Sequence, residues 1–235
     1  MKKTVSLLLM SLMGLVGTYA WAGSAREDTV DRLQSSVEIL HAIMSTPDKG
    51  IPEEVLSGAK CILVVPHLIK GGFIFGAKHG RGVASCRTPD GWSAPAFVSI
   101  GGGSWGLQIG VEGVDLIMLV MNERGFQHLL SSKFELTGEA SATAGPVGRH
   151  ASAGTDWKMN TEALSYSRTK GLFVGVAVDG AKIQQDKDST IAMYGKDVSF
   201  RETLSGEAHI PASADPFLAA VKAAEKQTHE TAENK

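Results

Sequence analysis

The 235-residue chain carries 23 basic and 25 acidic residues, a formal net charge of −2, and 43% hydrophobic residues. That balance excludes a protein that binds polyanions through its global charge, while the apolar share suffices for a packed core. The histidines never adopt HExxH spacing and the two cysteines never adopt CxxC, so no metal site or cofactor is expected.

Residues Met1 to Ala22 read as a cleavable signal: Lys2 and Lys3, an apolar run from Val5 to Val16, then Ala20-Trp21-Ala22 as an A-x-A site. The expected product is periplasmic or otherwise exported, with 21 basic against 25 acidic residues and peripheral membrane association open to it. No later segment approaches the roughly 20 apolar residues that a membrane-spanning helix needs. Residues 23–226 are expected to form a single domain, and 227–235 a polar tail. In an oxidising compartment Cys61 and Cys86 either bridge or persist as buried thiols.

From Arg26 to Met44, the residues Val30, Leu33, Val37, Leu40 and Met44 recur at alternating spacings of three and four, which predicts an amphipathic helix covering the core. Its charged residues sum to −2, which disfavours contact with an anionic bilayer. From Cys61 to Met121 the period changes to two and Gly, Phe, Val and Ile dominate, so this segment is the sheet. Twelve glycines fall between Lys70 and Gly113, a mixture too apolar for a linker. Such glycines mark places where a backbone bends or lies close to another surface.

Val55 to Pro89 holds Lys60, Lys70, Lys78, Arg81, Arg87, His67 and His79 and no acid. Reading His79-Gly80 as a two-residue hairpin turn sets Lys78 opposite Arg81, Phe73 opposite Cys86 and Phe75 opposite Ala84. Like charges facing each other oppose folding, and an anion between them would remove the cost. The competing reading is solvated charge at a turn tip.

Further along, Asn122 is placed to cap a short helix in which Phe126, Leu129 and Leu130 share a face. The Gly/Ala/Ser/Thr tract from Thr137 to Thr155 is either a loop or closely packed small-residue strands. Strands are expected over Trp157–Arg168 and Gly171–Val178, a short helix over Asp188–Tyr194 stopped by Gly195, and a helix opening at Asp215-Pro216. Lys70-Gly-Gly-Phe-Ile-Phe-Gly-Ala and Lys170-Gly-Leu-Phe-Val-Gly-Val-Ala echo each other, with Gly80 aligned to Gly180.

Gly102-Gly-Ser-Trp-Gly106 satisfies G-x-S-x-G, which would make Ser104 a nucleophile with Asp156 or Asp179 and His209 as partners. That motif requires a helix directly after the serine, and Leu107 to Val114 alternates like a strand. The serine-hydrolase reading therefore ranks last.

Six segments together carry a family resemblance: Lys70-Gly-Gly-Phe-Ile-Phe-Gly, Gly91-Trp-Ser-Ala-Pro-Ala-Phe, Gly101-Gly-Gly-Ser-Trp-Gly-Leu-Gln-Ile-Gly, Asp115-Leu-Ile-Met-Leu-Val-Met-Asn, Tyr166-Ser-Arg-Thr-Lys-Gly-Leu-Phe and Tyr194-Gly195. In this order the chain resembles the SYLF domain, also called the Ysc84 family. The resemblance implies a non-enzymatic lipid-binding domain; eukaryotic relatives look to phosphoinositides, some bind actin, and bacterial members are exported envelope proteins.

The combined expectation is an α+β domain with a glycine-rich, mostly antiparallel, twisted or barrel-like sheet flanked by N- and C-terminal helices. It would bind anionic phospholipid headgroups through Lys78, Arg81 and Arg87, with Lys70 and Lys170 next in line. The alternative is a structural or protein-interaction module of the cell envelope.

Overall fold

A computed structural model of the chain describes residues 23–43, 45, 51–72, 75–105, 110–131, 133–136, 142–147, 161–169, 172–176, 178 and 180–233. Its strands are β1 (Cys61–Gly72), β2 (Phe75–Thr88), β3 (Gly91–Trp92), β4 (Ala96–Trp105), β5 (Gly110–Val120), β6 (Lys133–Leu136), β7 (Ala142–Ala144), β8 (Ala163–Thr169), β9 (Leu172–Gly175) and β10 (Ala181–Gln185). They form one mixed, nearly closed barrel-like sheet in the order β6-β10-β4-β2-β1-β5-β8-β7, with β3 on β2 and β9 on β8. Every pair is antiparallel except β7 with β8.

Strand alternation divides the core in two. Leu63, Val65, Leu68, Val98, Ile100, Leu116, Met118 and Ile183 fill the inside of the curved sheet. Ile62, Val64, Val83, Phe97, Ile117, Leu119 and Tyr166 point outward beneath the helices. The first helix, α1, spans residues 23–43; of its expected stripe Leu33 and Leu40 are buried on that outer core and Val30 and Val37 are half-buried against it, while Ile39 and Ile43, outside the stripe, are buried as well and Met44 lies outside the described residues.

Helices α2 (Glu53–Gly58) and α6 (Asp215–Glu233) pack on the same side, through Val55 and Leu56 and through Phe217, Leu218 and Val221. Helix α6 continues through most of the segment expected as a polar tail. Helices α3 (Glu123–Leu130) and α5 (Phe200–Leu204) instead send Leu129, Leu130, Phe200 and Leu204 into the inner core. They close the end of the barrel where Cys61, Val120 and Ala96 lie.

Local signals explain the helix ends. The Asn122 side chain accepts from the Gly125 N–H to start α3, and Asp186 does the same from Ser189 to start α4 (Lys187–Tyr194). Gly195, at φ 72°, stops α4 in the left-handed conformation that glycine adopts without strain. The echo between Gly80 and Gly180 is not a structural repeat, since Gly80 lies within β2 whereas Gly180 takes φ 65° in the turn before β10.

The expected His79-Gly80 hairpin does not form. β2 runs unbroken through both residues and the chain reverses between Gly72 and Phe75, so Lys78 faces Lys70, Ala84 faces Leu63 and Cys86 faces Cys61. Gly80 is there for a different reason: a Cβ on it would fall 2.8 Å from Val65 Cγ1 and 2.9 Å from Leu68 Cδ1. The glycine accommodates β1 and does not reverse the chain. Of the two states open to the cysteines, the bridge is present, with Cys61 and Cys86 joined as cross-strand partners.

Candidate functional site

A one-residue irregularity in β1 sets the geometry of the site. Against β5, Val65 pairs with Leu116 and Leu68 with Val114, so one extra residue is accommodated around Pro66-His67. His67 takes φ 51°, and its N–H donates to Asp115 Oδ1 at 3.2 Å. A bulge of one residue exchanges the two faces of everything after it. Leu68 therefore stays inside the barrel, Lys70 follows it inward, and Ile69 turns outward with 52% of its surface exposed.

Lys70 thus lies directly opposite Lys78, both half-buried, with Glu112 on the far side of Lys70 and Gly102 on the far side of Lys78. The preceding inward row is Val114, Leu68, Gly80, Ile100 and Ile183, all buried. The lysines therefore form a basic rim where the apolar interior ends, opposite the end closed by α3 and α5. Cross-strand Cβ atoms are about 5 Å apart, and like charges at that separation cost on the order of 0.2–1 kcal/mol. Glu112 stands beside Lys70 in the same row.

Arg81 stands on the other face of the sheet, opposite Ser99, and is 52% exposed. Its Nε lies 3.6 Å from Asp186 Oδ2, an oxygen that also receives Arg32 Nη1 at 3.2 Å and the Ser189 hydroxyl at 2.7 Å. Burial pulls the Arg32 guanidinium below its ordinary range, Arg81 adds to that, and Asp186 opposes it. One buried carboxylate thus joins α1, β2 and the start of α4.

Arg87 belongs to neither group. Its Nε donates to the Ala59 carbonyl at 2.7 Å, Nη2 to the Ser57 carbonyl at 3.1 Å and Nη1 to Glu225 of α6, while its guanidinium lies 4.8 Å from the centre of the Trp92 ring. Trp92 Nε1 donates to the other Glu225 oxygen at 3.1 Å. Arg87 is thereby a brace that ties α2 and α6 to the sheet. Arg87→Ala should lower unfolding free energy by about 2 kcal/mol, because carbonyls and a half-buried carboxylate lose their donor. Urea unfolding measures this loss, and anionic-vesicle binding by the folded variant should not change.

Lys170 lies outside the described residues, as do Asp156 and Asp179. Ser104 falls within strand β4 and the next element is strand β5, so among the described residues no helix follows the serine as a nucleophile elbow requires. Other motif residues hold elements together: the Tyr194 hydroxyl donates to the Pro95 carbonyl at 2.7 Å, and Ser93 Oγ accepts from the Cys86 N–H at 3.1 Å. In sequence Asp186 reads as solvated loop charge, whereas it is buried and pairs with Arg32 and Arg81, and nothing in the sequence points to Glu225 as a partner. Each meets its arginine across more than 100 residues, which local spacing does not reveal.

The fold and site define an α+β domain built on a nearly closed, glycine-rich barrel with a basic rim at one end. Residues 101–224 match the family model Ysc84, described as "Las17-binding protein actin regulator", and the chain belongs to this Ysc84 (SYLF) family. It is 38% identical over 171 residues to an SH3 domain-containing protein of Schizosaccharomyces pombe, a match covering 71% of this chain and 40% of that protein. With Protein YSC84 of Saccharomyces cerevisiae the identity is 34% over 175 residues, covering 73% of this chain and 37% of the relative. SH3 domain-containing YSC84-like protein 1 of Homo sapiens is 31% identical over 171 residues, covering 72% of this chain and 50% of its own length. In each comparison the match spans half of the relative or less.

Proposed function

We propose that this chain is a non-enzymatic binding domain that engages anionic phospholipid headgroups at an envelope membrane, with the Lys70–Lys78 end of the barrel against the surface. The observation that carries this reading is the like-charge pair itself: two lysines face each other at the rim of an apolar interior, where an anion would relieve their repulsion. Exposed Ile69 at the same end supplies an apolar contact. A basic residue near an anionic surface contributes about 1 kcal/mol, so association is weak, reversible and sensitive to salt. The Cys61–Cys86 bridge supports an oxidising compartment, consistent with export.

Lys70→Glu combined with Lys78→Glu should reduce co-sedimentation with phosphatidylglycerol-containing vesicles about tenfold and leave the thermal midpoint within a few degrees of the parent. Unchanged sedimentation would remove these lysines from the site.

A second reading is a protein-docking module of the envelope, favoured by the family description as Las17-binding. Capture of one defined envelope protein by the chain, with no vesicle association, would select it.

A further inference from the structure

We infer that the outer face of the sheet carries a second oxyanion site, for a phosphate-type group, framed by His79, Arg81, Lys182 and Gln184 around Ser99 and Gly101. It is separate from the Lys70–Lys78 rim and does not depend on that reading. Register places the frame. Ser99 of β4 lies between Arg81 of β2 and Gln184 of β10, and the next outward position, Gly101, lies between His79 and Lys182. The adjacent residues Val98, Ile100 and Ile183 point into the inner core, so these six face outward.

The frame is open to solvent. His79 and Gln184 are exposed, the Arg81 side chain is 52% and the Lys182 side chain 39% exposed, and a Cβ on Gly101 would meet nothing within 4 Å. Residues that carry guanidinium, ammonium, amide and hydroxyl groups therefore flank a position without a side chain, and all of these groups can donate to an oxyanion once they turn to it.

Lys182 pairs with Glu135 at 2.8 Å, and Arg32 and Arg81 divide Asp186 between them, with Asp28 also acting on Arg32. An anion on Arg81 would let Asp186 serve Arg32 more fully. Because Arg32 lies on α1, which Arg26 also fastens to the last turn of α4 through the Met193 carbonyl at 3.2 Å, occupancy of the site should tighten the docking of α1.

The test titrates the chain with inorganic phosphate at constant ionic strength and follows amide resonances by NMR. Saturable shifts are expected at residues 79–81, 99–101 and 182–184, with at least a fivefold loss of affinity in Arg81→Gln and none in Lys70→Gln with Lys78→Gln. Amide exchange in α1 should slow severalfold in phosphate. A parallel arm measures binding of Arg81→Gln to phosphatidylglycerol vesicles. Loss in the phosphate arm alone assigns a soluble phosphate, and loss in both assigns a lipid phosphate. If Arg81→Gln loses nothing in either arm, or if the shifts fall elsewhere, the site does not exist.

Discussion

Gly82→Val is expected to destabilise the protein by about 3 kcal/mol or more, among the largest effects of any single substitution in the sheet. Gly82 faces inward on β2, where a Cβ would lie 2.4 Å from the Val64 carbonyl oxygen, 2.7 Å from Val65 Cγ2 and 3.0 Å from Val65 Cα. Two of those atoms are backbone, so relief requires β1 to move away from β2 and not merely a change of rotamer. Gly101→Ala is the control, because nothing lies within 4 Å of its Cβ position. It should be neutral or should stabilise by about 0.5 kcal/mol, since alanine loses less backbone entropy on folding. Urea unfolding of the two variants separates the cases, and equal destabilisation in both would mean that close backbone approach does not explain Gly82.

The second large effect is expected at the disulfide. Cys61 and Cys86 are fully buried partners, separated by 25 residues, joining the start of β1 to the end of β2. Closing a loop of that length stabilises by about 3 kcal/mol, chiefly through restriction of the unfolded chain. Cys61→Ala with Cys86→Ala should therefore lower the thermal midpoint by roughly 6 °C or more, taking about 2 °C per kcal/mol as the lower bound for a chain of this size. A reductant should act slowly on the native protein, because neither sulfur reaches solvent, and quickly in denaturant. A midpoint that is the same for the double variant and the oxidised parent would contradict a stabilising bridge.

What could be read from the sequence was local. The α1 stripe, the Asn122 cap, the Gly195 stop and the Asp215-Pro216 start each act within a few residues, and each element appears in the structure. Ser199, whose hydroxyl accepts from the Glu202 N–H to start α5, carries a comparable local S-x-x-E signal. The sheet register was not readable in this way. His79-Gly80 has the composition of a tight turn, but the bulge at Pro66-His67 and the packing of Leu68 beneath Gly80 decide which residues meet, and both depend on neighbouring strands.

The candidate site divides in the same way between local and long-range signals. Its chemistry, facing cations near the β1–β2 reversal, was visible in the run without acids from Val55 to Pro89. The partners were not: Lys78 faces Lys70 in place of Arg81, Arg81 moves to the opposite face with Asp186, and Arg87 braces the helices. Glycines that looked alike in sequence also separate by environment. Gly80 and Gly82 admit a neighbouring strand, while Gly101 lies open.

Co-sedimentation of the unsubstituted chain with vesicles of graded phosphatidylglycerol content, repeated across salt concentrations, tests the proposed function most directly. The account predicts binding that rises with anionic lipid, is negligible on neutral phosphatidylcholine and weakens several-fold between about 50 and 300 mM salt. Equal binding to neutral and anionic vesicles, or no binding to either at low salt, would contradict it.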